Sequence, residues 1–168
     1  MNKKILITFA GAIGSSKTPI ANYLSCKLNF PVLNNDAIRT EVLEDLSFFN
    51  EEEYIKRRDE RIHAVLENNP AIIYDASVDR EWKNWEDKIV KAGYKIFIIS
   101  LDLSKDFLVE LYKIKGYHES AQRIDQFFSD HEEFVKNYGH LVNLRITDEN
   151  FKNRLEFAYL AVSEWLKE

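Results

Sequence analysis

The residues best equipped for chemistry lie near the start of the chain, in Gly11-Ala12-Ile13-Gly14-Ser15-Ser16-Lys17-Thr18. They match the phosphate-binding pattern G-x-x-x-x-G-K-[ST] at three of its four fixed positions, with Ser16 where glycine is expected. Loop N–H groups and the start of a following helix would face a polyphosphate, where the helix dipole favours negative charge by roughly 0.3–1 kcal/mol. Lys17 would reach the β- and γ-phosphates, and the Thr18 hydroxyl would ligate Mg²⁺. A serine at position 16 must either tolerate the backbone geometry or change it. The competing reading is a serine-rich helix cap with Lys17 in solvent. Glycine usage supports the loop: the chain has five glycines in 168 residues, against a usual share of roughly 7%, and two of them stand here.

The elements around the motif are those such a loop needs. Lys4 to Ala10 is a β-prone run that ends at glycine, and Thr18 to Leu28 carries Ile20, Leu24 and Leu28 at helical spacing. Pro19 suits the first turn of that helix, where its missing N–H is not needed. Further strands are expected at Pro31–Leu33, at Ala71–Tyr74 running into Asp75, at Tyr94–Leu101 and at Leu141–Ile146. Helices are expected over 37–45, from a capping box at Asn50 to about Glu67, and over 79–91, 104–115, 119–137 and 149–167. Gly93, Gly116 and Gly139 fall at helix ends. Apolar strands alternating with helices predict an α/β fold, a mostly parallel sheet covered on both faces.

At this point the sequence resembles the polynucleotide-kinase-like group of small P-loop kinases, which also includes the zeta toxins. The residues that carry the resemblance are the loop Gly11 to Thr18, then Asn35-Asp36-Ala37-Ile38-Arg39, then Ile72-Ile73-Tyr74-Asp75-Ala76-Ser77, over roughly residues 4 to 115. The resemblance implies a three-layer P-loop NTPase fold in one domain, residues 1–168, with a helical lid at about 116–137. It implies ATP and Mg²⁺ as cofactors and a small-molecule hydroxyl as acceptor. Asp36 would take the proton of that hydroxyl, and Arg39, one turn on, would hold phosphate charge. Asp75, at a strand end where open α/β sheets bind ligands, would hold Mg²⁺ opposite Thr18. Arg123, the only basic residue between Gly116 and Phe134, would be the lid arginine. Two bland alternatives stand beside these roles. Asp36 could simply cap the helix that follows, and Arg123 could sit in an i,i+4 pair on a solvated acidic helix. Ser77-Val78 departs from the asparagine the group often has after its strand-end acid.

Composition narrows the field. Lys+Arg number 23 and Asp+Glu 28, a net charge of −5, which argues against long nucleic acid as a partner. Hydrophobic residues at 45% can fill a core without staples. The single cysteine, Cys26, excludes an internal disulfide framework and suits a reducing, cytoplasmic setting. No apolar stretch reaches the roughly 18 residues of a membrane span. Lys3-Lys4 before Ile5–Ile13 has a faint look of a secretory leader, but no clean small-x-small cleavage site follows. His63, His118, His131 and His140 show no metal-ligand spacing, Arg57, Arg58 and Arg61 read as surface ion pairs, and Trp82, Trp85 and Trp165 as packing residues. Two other functions fit these residues: a nucleotide-binding switch without efficient transfer, and a zeta-toxin-like kinase acting on a nucleotide-sugar.

Overall fold

A computed structural model describes residues 4–168, so Lys3 and the start of the leader-like stretch lie outside the described residues. Five strands form one sheet: β1 (Lys4–Ala10), β2 (Val32–Asn34), β3 (Ala71–Ser77), β4 (Tyr94–Leu101) and β5 (Leu144–Ile146). Their order is β2-β3-β1-β4-β5 and every pairing is parallel. Parallel neighbours require crossovers, and the helices supply them: α1 (Lys17–Leu28), α2 (Asn35–Leu46), α3 (Glu51–Asn68), α4 (Trp82–Lys91), α5 (Lys105–Lys115), α6 (His118–Gln122), α7 (Ile124–Tyr138) and α8 (Arg154–Trp165). The α/β expectation holds, with a sheet that is parallel throughout.

The two faces of β1 show why its run is so largely apolar. Ile7 and Phe9 pack with Ile20, Leu24, Ala158 and Val162 of α1 and α8, while Leu6 packs with Ile62, Trp85 and Ile89 of α3 and α4. Successive strand residues point to opposite faces, so a central strand covered on both is apolar on both, and its one polar interior residue, Thr8, is paired, its buried hydroxyl donating to the Tyr74 carbonyl at 3.3 Å. The third core patch joins Ala10, Val78, Trp82 and Ile98 to Phe134 of α7. That helix also gives Phe127 to the first core, so it spans the carboxyl end of the sheet from one face to the other.

Several sequence-based boundaries move, each for a local reason. Strand β3 runs on to Ser77, so Asp75 lies within it. The helix expected from Asp79 begins at Trp82, because Asp79 and Arg80 form a turn. The acidic helix expected over 119–137 is two, broken at Arg123, whose backbone leaves helical geometry at φ −110°. Strand β5 starts only at Leu144, because Gly139–Leu141 forms a short 3₁₀ turn first. Helix α8 starts only at Arg154, after a 3₁₀ turn at Phe151–Asn153. Asn50 caps α3 as expected, accepting from the Glu53 N–H at 3.0 Å. Among the described residues no helix is long and apolar enough to cross a membrane.

Candidate functional site

The loop after β1 is shaped by backbone angles that side chains resist. Gly11 has φ +136° and Gly14 φ +74°, and space forbids a side chain at either. A Cβ on Gly11 would come within 2.9 Å of Leu101 Cβ, and one on Gly14 within 2.8 Å of the Tyr112 ring. Ser16 has φ 89° and ψ 26°, the left-handed region that glycine enters freely and other residues enter at a cost of about 1–2 kcal/mol. The serine therefore tolerates the geometry expected of glycine. Helix α5 grips the loop from outside, with the buried Tyr112 hydroxyl donating to the Ile13 carbonyl.

Three cations converge on this loop, and among the described residues none has a carboxylate partner. The Lys17 ammonium folds back to donate to the carbonyls of Gly11 (2.8 Å) and Ala12 (2.6 Å). Lys115, the last residue of α5, donates to the Gly14 carbonyl at 2.6 Å. Arg154, the first residue of α8, donates from Nε to the Ser16 hydroxyl at 2.7 Å. Burial pulls Lys17 down to about 8, against the opposing pull of Asp79 and Asp75. Burial also lowers Arg154, and it lowers Lys115 with help from the neighbouring Arg154 charge. Like charges brought together at a partly buried loop raise each other's free energy, and an anion between them would relieve it. In a chain of net charge −5, this is a local arrangement against the overall balance. The first N–H groups of α1 add to it: Ser16 occupies the N-cap position, yet its side chain caps none of them.

Of the residues expected at the site, the structure gathers Asp75 and Asp36 beside the loop. Asp75 is buried, and Asn34 donates to its Oδ2 at 2.7 Å. Burial raises its pKa, offset in part by polar contact with Thr18 and Asn34 and by the Lys17 charge. Asp36 is exposed in the first turn of α2, near enough for its charge to act on both Lys17 and Asp75. Its alternative role as helix cap is corrected: Asn34 is the cap, accepting from the Asp36 N–H at 2.7 Å and the Ala37 N–H at 3.3 Å. The Asp36 carboxylate is thereby free of capping duty. Arg39 lies exposed over the Phe49 ring, 3.9 Å from its centroid. Arg123 lies exposed between α6 and α7, over the Phe127 ring at 5.1 Å. Neither guanidinium hydrogen-bonds to the phosphate loop.

Residues with no motif behind them complete the surroundings. The Asp79 carboxylate accepts the Gly11 N–H at 3.0 and 3.2 Å. It also faces Nδ1 of His131 at 3.3 Å, whose Nε2 meets Asp102 at 2.9 Å. Burial alone would lower His131, but the two carboxylates hold it at about 9. Burial alone would raise Asp102, but His131, Ser100 and Arg145 bring it to about 2. This buried chain of charges ties α7 to the ends of β3 and β4 and reaches the first N–H of the loop. A cavity of about 790 Å³ lies between α7 and the segment after β5, with Asp102 and His131 in its wall and no residue of the loop lining it. Asp79, four residues beyond Asp75, is within reach of a reading that looks for strand-end acids. Lys115 and Arg154 are not: 101 and 138 residues separate them from their loop partners.

No model of a protein family matches the sequence, and no curated protein matches it. Solved structures do. A gluconokinase from Sinorhizobium meliloti 1021 aligns over 98% of this chain and 95% of its own, with TM-score 0.67 and 14% identity. A shikimate kinase from Bacteroides thetaiotaomicron aligns over 98% and 99%, with TM-score 0.63 and 17% identity. An APS kinase of Mycobacterium tuberculosis, solved in complex with AMPPNP and APS, aligns over 97% and 99%, with TM-score 0.62 and 16% identity. At such identities the likeness is one of fold. The chain has the α/β fold of P-loop kinases, a parallel five-stranded sheet between helices.

Proposed function

We propose that this chain is an ATP- and Mg²⁺-dependent kinase that transfers the γ-phosphoryl group to a hydroxyl of a small molecule, nucleoside or nucleotide. The observation that carries the reading is the meeting of Lys17, Lys115 and Arg154 at a loop with uncapped helix amides, all without a carboxylate partner among the described residues. That is a site built for several negative charges at once. The fold it shares with kinases of gluconate, shikimate and APS adds support. The switch reading rests on Ser16 and on a lid thin in basic residues, and against its first ground the left-handed Ser16 keeps the backbone geometry a glycine would give.

The donor set suits Mg²⁺: the Thr18 hydroxyl and the Asp75 carboxylate are hard oxygen ligands of the kind the ion prefers. Bound there, it would neutralise charge on the transferring group. Lys17 would leave the carbonyls of Gly11 and Ala12 for phosphate oxygens. Asp36 would accept the proton of the acceptor hydroxyl while the oxygen–phosphorus bond forms and the bond to ADP breaks. We take the chain as one domain in which residues 116–137 act as the lid, with Arg39 and Arg123 swinging from their ring stacks onto phosphate charge. The acidity of that segment, with Glu119, Asp125, Asp130, Glu132 and Glu133, favours a neutral or cationic acceptor. The lone, exposed Cys26 fits a cytoplasmic setting.

The test is a screen of ADP release from Mg-ATP across nucleosides, sugars, aminoglycosides and oligonucleotides, run beside the Asp36→Asn variant. A positive acceptor should lose about 10²–10⁴ in transfer rate in that variant, with ATP binding kept. Undiminished turnover would remove Asp36 as the base, and silence across the screen with intact ATP binding would overturn the kinase reading.

A further inference from the structure

Ser16 departs from the phosphate-loop pattern at the position where glycine is most expected, and the structure shows what the serine does instead. At an N-cap position a serine ordinarily accepts a bond from the second or third helical N–H. Here the third helical residue is Pro19, which has no N–H, and the Ser16 hydroxyl caps nothing. Its oxygen accepts from Nε of Arg154 at 2.7 Å, across 138 residues of chain. The guanidinium is held from two further sides. Nη1 donates to the Phe151 carbonyl at 3.1 Å, and the planar group lies over the Phe151 ring, 4.2 Å from its centroid. Phe151 is itself buried in the main core against Phe107. A rigid ring, a carbonyl and a hydroxyl therefore orient a charge that among the described residues has no carboxylate partner.

We infer that Arg154 is the guanidinium already seated at the polyphosphate loop, in place before any lid arginine moves, and that Ser16 is present to deliver it. Resting on the reading of the loop as a nucleotide-phosphate site, the inference assigns Arg154 the direct recognition of di- and triphosphate groups, beside Lys17 and Lys115. Ser16 is a positioning residue, acting through Arg154. The pair explains two observations together. The strained left-handed conformation of Ser16, which glycine would remove, is retained because glycine has no hydroxyl to offer. Meanwhile Arg123, the expected phosphate arginine, is stacked on Phe127 away from the loop. Because Ser16 binds Arg154 and caps nothing, the first N–H groups of α1 remain available to the same anion.

Restoring the glycine of the pattern, Ser16→Gly, should relieve backbone strain and still weaken binding. The experiment is calorimetric titration of the full chain with Mg-ADP and, separately, with inorganic tripolyphosphate, for wild type, Ser16→Gly, Arg154→Ala, Arg154→Lys and the Ser16→Gly/Arg154→Ala double variant. Loss of one charge-assisted contact should weaken both probes about tenfold to a hundredfold in Arg154→Ala. Arg154→Lys should recover only part of this, because an ammonium lacks the fork that binds Ser16 and phosphate together. Ser16→Gly should weaken both probes several-fold while its melting temperature is held or raised. In the Arg154→Ala background the same Ser16→Gly change should cost nothing. If wild type binds neither probe, the phosphate reading of the loop itself fails. If wild type binds both and Arg154→Ala binds tripolyphosphate equally well, or if Ser16→Gly binds more tightly than wild type, this inference is overturned and that reading stands.

Discussion

Two clusters of cations on this molecule differ in one respect, and the difference separates structure from site. Arg57, Arg58 and Arg61 on α3 are each matched to acids. Arg57 bonds Glu41 at 2.9 Å and Glu53 at 2.7 Å, Arg58 bonds Glu81 at 3.1 Å, and Arg61 bonds Glu41 at 2.8 Å. At the phosphate loop, Lys17, Lys115 and Arg154 have, among the described residues, only carbonyls, the Ser15 and Ser16 hydroxyls and the Tyr117 and Phe151 rings. Partial charges cannot neutralise a cation as a carboxylate does, so the loop cluster is left with charge to share and the α3 cluster is not. The number of basic residues is the same in both places. What distinguishes a candidate anion site is the missing acid, and that is visible only when partners are known.

The largest effect should come from breaking the uncompensated cluster at its centre. Lys17→Ala should lower turnover at least about 10³-fold, since the lost charge acts on the transferring group itself, and phosphate transfer assays on any acceptor found by the screen would show it. A variant within tenfold of wild type would place the chemistry elsewhere.

A smaller effect, with a definite pH signature, belongs to His131, the buried cation that is fully matched. Asp79 and Asp102 face it, Arg145 and Ser100 flank Asp102, and its folded pKa of about 9 exceeds the ordinary 6.5. A raised pKa means that the folded state holds the proton more tightly than the unfolded chain. The stabilisation is therefore complete below about pH 6.5 and lost as pH rises through about 9. His131→Gln should cost on the order of 3 kcal/mol at pH 6, and melting curves of the two proteins should converge by about pH 10. A gap that stays constant from pH 6 to pH 10 would mean that packing, not charge, holds α7 down.

The smallest effect is expected where each cation has its acid in solvent. Arg61→Ala should change stability by less than about 1 kcal/mol, because both partners are partly exposed and water screens the pair. It should leave Mg-ADP binding untouched. A marked loss of binding in this variant would abolish the contrast between the clusters and bring α3 into the site.

Much of the fold was legible in order along the chain. The apolar run Lys4–Ala10, the glycines after it and the helical spacing beyond are local patterns, and local patterns report local geometry. The interruptions were less legible. The break at Arg123, the turn at Asp79 and the 3₁₀ turn before Arg154 carry no glycine or proline to mark them. The site divides in the same way. Gly11, Gly14, Lys17 and Thr18 announce themselves by spacing, and Asp75 by its place in an apolar strand. The cap at Asn34 did not, because Asn34, Asn35 and Asp36 are all capping types and only the backbone chose among them.

By itself, then, the sequence determined a phosphate-type loop between a buried strand and a helix, and the alternation that makes the sheet parallel. Those features depend on neighbours a few residues apart, where chain connectivity does the positioning. Tertiary structure alone decided which charges would be left without partners. Lys115 and Arg154 reach the loop because α5 and α8 close on it from opposite parts of the chain. Asp79 is drawn to Gly11 and His131 because β3 ends beside the loop and α7 crosses above it. Charge balance at a site is a sum over every element that touches it, and a linear sequence lists the charges without saying which of them meet.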